Sequence, residues 1–334
     1  MRGRLVSLGE RGASRLLALI IFVAWFGILG LIALNHRAIT DWWRLRDYQA
    51  PASIAQLATQ DTMTSYARKV FYVNQPAIDD KATFRAACPN NGGEQTIVLG
   101  CYRSDQDGIF LLNVTDQRLN GVTQVTAAHE MLHAAYDRLS SSERANVDTM
   151  LLDYYNHDLH DQRILSTIAA YKKSEPHDVV NEMHSVFGTE IANLPAGLEQ
   201  YYQRYFANRQ QIAAYAAQYQ GEFTSRQAQV AQYDAQLTSL KNQIDTTEAD
   251  LQTKQDAINT QHDMLLSERA SDAAAYNADV PAYNASVDNY NNQVQAVRGL
   301  VDQYNALVAD RNAIAVEQDE LANALDANVA PITR

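Results

Sequence analysis

VTQVTAAHEMLHAAYDRL, residues 122–139, holds neither Pro nor Gly, and Val122, Val125, Ala128, Met131, Leu132 and Ala135 recur in it at helical spacing. That period predicts a helix with one face in a core. His129 and His133 stand four residues apart, so both imidazoles leave the same side of the helix and reach one ion. Neutral imidazole nitrogen suits zinc, and a catalytic zinc site adds a third protein ligand and keeps one position for water. Glu130, beside the first histidine, is placed to take that water's proton.

The third ligand must come from elsewhere. HDVVNEMHSVFGTE, residues 177–190, reads as a second helix and offers Glu182, with His184 and Glu190 as alternatives. On a helix Glu182 and His184 point about 200° apart, so only one of them faces the metal. Asp137 is a candidate to orient a ligand histidine, and Tyr136 and Tyr171 are candidate oxyanion donors. The other histidines carry no assignment.

Upstream, TIVLGCY (96–102) and GIFLLNV (108–114), separated by RSDQD, read as a strand pair. Two strands followed by an HExxH helix resemble the zincin metallopeptidases. NE at 181–182 with Ser185 is similar to the NExxS stretch with which the thermolysin-like gluzincins supply a glutamate ligand, although Val186 stands where that family has Asp. The resemblance implies Glu182 as third ligand, a peptide or protein substrate, and GIFLLNV as the edge strand along which substrate lies. The segment also resembles a group of bacterial membrane-anchored proteins with an HExxH helix and a coiled-coil tail.

Working outward, Leu16 to Leu34 is an uninterrupted apolar run long enough to cross a bilayer. It exceeds the apolar core of a signal peptide and lacks a small-residue cleavage site, so a retained anchor is expected. Arg2, Arg4, Arg11 and Arg15 precede it, against Arg37, Arg44 and Arg46 soon after. This bias predicts a cytoplasmic tail at 1–15, a single span at 16–34 and an extracytoplasmic remainder. On that side Cys88 and Cys101 would pair, two buried thiols being the alternative. Net charge is -12, and only the N-terminus is basic, which argues against a nucleic-acid partner.

Beyond residue 209 the texture changes. Phe223, Val230, Leu237, Ile244, Leu251, Ile258 and Leu265 recur every seven residues, with polar Thr247, Lys254 and Gln261 at alternate seam positions. Tyr276, Val280, Tyr283, Val287, Tyr290, Val294, Val297, Val301, Tyr304 and Val308 then alternate four and three. Two arms of similar length predict an antiparallel coiled-coil hairpin turning between Arg269 and Pro281; self-association is the competing way to cover the stripes.

The expectation is therefore a mainly α protein with a small β element: an α+β zincin-like domain at 45–209, an N-terminal transmembrane helix and coiled-coil arms at 210–326. Its function would be that of a membrane-anchored zinc metallopeptidase. The alternative is a non-catalytic envelope scaffold, adhesin or adaptor built on the coiled coil.

Overall fold

The computed structural model describes residues 10–89, 98–104 and 108–328, with side chains from residue 19 onward. Residues 1–9 of the expected tail, Thr96 and Ile97 of the first expected strand, and 105–107 of its connection lie outside the described residues. The chain divides into two compact units, Met1–Asn113 with Thr123–Ala214, and Val114–Val122 with Tyr215–Arg334.

In the first unit, α1 (Glu10–Leu45) contains the apolar run, and none of its apolar side chains from Leu19 to Leu34 is buried. The helix does not end with that run but continues through Trp42 and Trp43. Pro51 then starts α2 (Ala52–Gln60), and Thr64 caps α3 (Ser65–Val73) by accepting from the Ala67 amide. β1 (Ala77–Asp79) and α4 (Lys81–Ala87) follow, then β2 (Gly100–Arg103) and β3 (Gly108–Leu112).

β2 and β3 pair antiparallel, Cys101 opposite Phe110, as the alternation predicts. A third strand was not foreseen: β1 lies parallel to β3, with Ile78 opposite Leu111. The order β1-β3-β2 places GIFLLNV in the middle of the sheet. GIFLLNV is therefore not the edge strand expected, and β1 and β2 hold the two edges. Cys88 and Cys101 form a disulfide that ties the end of α4 to β2.

α5 (Val122–Tyr136) is the HExxH helix, and its apolar residues from Val122 to Ala135 are buried. It ends in a tight turn, and Ser140 and Glu143 exchange capping bonds at the start of α6 (Ser141–His157). α7 (Gln162–Ser174), α8 (Val179–Glu190) and α9 (Ala196–Tyr202) complete the layer, α8 packing on both α6 and α7. Leu132, Met131, Phe187, Tyr202 and Tyr205 are at most 1% exposed and mark the core beneath the two site helices.

α10 (Arg209–Ser271), which belongs to the second unit from Tyr215 onward, and α11 (Ala273–Leu325) are separated by Asp272, whose carboxylate caps the Ala274 and Ala275 amides. Arg226 pairs with Glu317, Asp234 with Arg311, and Gln255 with Tyr290, so positions fall on one arm as they rise on the other. The arms form an antiparallel hairpin. Pro281 lies inside α11 and does not end it.

Candidate metal centre

Helix α5 presents His129 and His133 on one side, and α8 presents Glu182 opposite them. His129 Nε2 lies 3.0 Å from His133 Nε2, with Glu182 Oε2 3.6 Å from the former and Oε1 3.4 Å from the latter. Ligands of a tetrahedral zinc at 2.0–2.1 Å stand about 3.3 Å apart, so the three donor atoms already sit at ligand spacing. His129, His133 and Glu182 form a group that could hold a metal ion. Glu182 Oε2 is buried with no hydrogen bond at ordinary length among the described residues, a state that costs free energy unless a cation or proton meets it.

Electrostatics agree with that geometry. Burial works against charge on His129, but Glu182, Glu130 and Glu190 outweigh it and raise the imidazole to about 9. Burial would likewise raise Glu182, yet His133 and His129, with the Tyr171 hydroxyl, hold its carboxyl below the usual range. Tyr171, weighed as an oxyanion donor, thus reaches the third donor residue. Burial pushes Glu130 up despite the two histidines, and the Tyr102 amide bonds its carboxylate.

The route from β2 to Glu130 is direct. The Leu112 amide bonds the Leu99 carbonyl, so Cys101 exchanges bonds with Phe110 while the Gly100 and Tyr102 backbones face away from β3. At Gly100 a Cβ would stand 2.5 Å from Thr126 Cγ2 and 2.8 Å from Glu130 Oε1. Only glycine lets the strand approach this closely. A glycine inside a strand was the available signal, and the sequence reading passed over it.

The alternative ligands lie elsewhere. His184, fully buried, turns into a ring of tyrosines: its Nε2 is 2.9 Å from the Tyr201 hydroxyl, and the Tyr136, Tyr202 and Tyr205 rings surround it. Burial drives its imidazole well below the ordinary value, so it stays neutral. Glu190 pairs with Arg163 at 2.5 Å. Tyr136 donates to Asp148 at 2.6 Å and is not free to serve an oxyanion. No hydrogen bond joins the Asp137 side chain to either histidine among the described residues.

Sequence reasoning also missed Glu175 and Asp178, which gather with Glu182 into a second acidic group. Burial raises both carboxyls, and Asn181 Nδ2 donates to Asp178. Compared with known proteins, the chain matches no family model, no curated protein and no solved structure.

Proposed function

We propose that this chain is a membrane-anchored, zinc-dependent peptidase related to the zincins, with His129, His133 and Glu182 as metal ligands and Glu130 as general base. One observation carries the reading: two helices distant in sequence bring two imidazole nitrogens and a buried carboxylate to tetrahedral-ligand spacing beside a second carboxylate. Zinc held there would polarise a peptide carbonyl and bring the pKa of a water to about 7. Glu130 would receive the proton on its carboxylate and return it to the leaving amine. The Tyr102 amide fixes Glu130 for that task, and the Tyr171 hydroxyl fixes Glu182. An extended substrate would lie along the outer edge of β2, where the Gly100 and Tyr102 backbones face outward.

The apolar part of α1 would be the anchor, with the chain beyond it on the extracytoplasmic side, where a Cys88–Cys101 disulfide would persist. The test is cleavage of a peptide library by the full chain in detergent micelles, read by mass spectrometry. The wild type should cut, whereas Glu130→Gln and chelator-treated protein should not. A zinc-loaded wild type that cuts nothing contradicts the reading and favours an envelope scaffold.

A further inference from the structure

The anchor helix does not end where its apolar run ends. Asn35 and His36 bond back to the Leu31 and Ala33 carbonyls (2.8 and 3.0 Å), and the helix continues to Leu45 without Gly or Pro. Three side chains of this extension grip the folded unit. Arg37 donates to the Asp137 carbonyl at 3.0 Å; Asp41 accepts from both Arg138 nitrogens (3.0 and 2.9 Å) and pairs with Lys69 at 3.0 Å; Arg44 donates to the Val73 carbonyl at 2.6 Å. Spaced four and three residues apart, they share one helix face. Asp41 is only 5% exposed, so its carboxylate is shielded from water where it pairs with Arg138 and Lys69, and these pairs tie the helix to α3 and to the turn after α5.

What they grip sets the height of the metal centre. Asp137 and Arg138 form the turn that ends α5, and the Asp137 amide bonds the His133 carbonyl at 3.1 Å. From Leu34 to the ligand nitrogen the path is three helical residues, an arginine side chain, one helical turn and an imidazole, on the order of 25 Å fully stretched. The headgroup layer takes up about 5–8 Å of this. On the same extension Trp42 and Trp43 are 58% and 60% exposed, with the Arg46 guanidinium 5.7 and 4.8 Å from their ring centres. Amphipathic rings beside a cation suit the headgroup layer.

We infer that this extension docks the folded unit on the lipid headgroups through Trp42, Trp43 and Arg46, holding the metal centre within about 25 Å of the hydrocarbon edge. If the centre is the peptidase proposed above, on which this step rests, its substrates are membrane-embedded proteins cut close to the bilayer. An extended chain covers that height in about seven residues.

The test places a nitroxide on a Ser141→Cys variant of the full chain in phosphatidylcholine vesicles doped with a gadolinium-chelate lipid. Surface gadolinium should relax the label strongly, and inserting seven alanines between Asn35 and His36, a lift of about 10 Å, should cut that effect about tenfold. Trp42→Ala with Trp43→Ala should weaken it severalfold. No relaxation in the unmodified chain, or an effect indifferent to the insertion, overturns the placement; an effect indifferent to the tryptophans overturns their role in it. The label reads height without metal, so zinc assayed in the same samples separates the two ideas. A docked chain without zinc keeps the placement and sinks the peptidase reading.

Discussion

Helices α5 and α8 differ from the arms α10 and α11 in what they bury. In the first pair Glu130, His133, Asn181, Glu182, His184, Ser185 and Thr189 are all under 9% exposed, among apolar neighbours near zero. In the arms most seam residues stay half-exposed, with Ile212, Leu265, Val297, Leu321 and Leu325 the buried apolar exceptions among the large side chains described. Burying polar groups is costly unless something repays the lost solvation. The first pair bears that cost around the three donor atoms and again at His184, which meets the Tyr201 hydroxyl, whereas the arms keep most of their charges at the rim and pair several of them across the hairpin. Buried polar groups are therefore dense in the two site helices and sparse in the arms.

The sharpest way to break this contrast is at Glu130. Glu130→Gln should lower peptide cleavage by about 10²- to 10⁴-fold, the range for removing a general base, while metal content stays that of the wild type. Loss of metal alongside activity would instead make Glu130 structural. Next in size is packing. Leu132→Ala, on the buried face of α5, should cost about 2–5 kcal/mol in chemical denaturation, and half-buried Leu251→Ala about 1 kcal/mol, because an open site collapses or rehydrates at less cost. Equal losses would remove the distinction between the regions.

Protonation offers a third test. The metal-free His129 titrates near 9, above its unfolded value, so its charged form stabilises the apo protein below about pH 6.5 and that contribution is lost as pH rises through 9. Zinc must displace this proton, so affinity should rise by up to about tenfold per pH unit between 7 and 9. Calorimetry in buffers of different ionisation enthalpy should count about one proton released; none would contradict the carboxylate arrangement around His129. The smallest effect belongs to the hairpin. Lys254 sits at a seam position and bonds Asp250 and Gln293. Lys254→Leu should raise the melting temperature slightly while loosening register, which cross-linking between the arms would report.

Local features of the chain were legible in its sequence, and long-range ones much less so. The four-residue histidine spacing, the seven-residue seams, the Ser140 capping box and the apolar run each depend on near neighbours, and the corresponding helices are present. Glu182 was one of three candidates on the second helix, singled out by the NExxS likeness, and it is the residue that α8 brings to the histidines. β1 escaped notice because three residues, AID, are too short to show alternation, and without β1 the strand GIFLLNV could be taken for an edge. The Tyr102 amide, the Tyr171 hydroxyl and the Asp41 clamp join residues in different elements, 97 positions apart for Asp41 and Arg138, which no period encodes. Asp61 gave no signal either, although its carboxyl is fully buried with no hydrogen-bond partner among the described residues and burial raises it well above the ordinary range.

Zinc content bears most directly on the central claim. The full-length chain, purified in detergent without chelating resin and dialysed against trace zinc, should carry about one zinc per chain, and His133→Ala should carry almost none while keeping its helical signal. Equal zinc in both proteins, or none in either after zinc is supplied, would contradict the account.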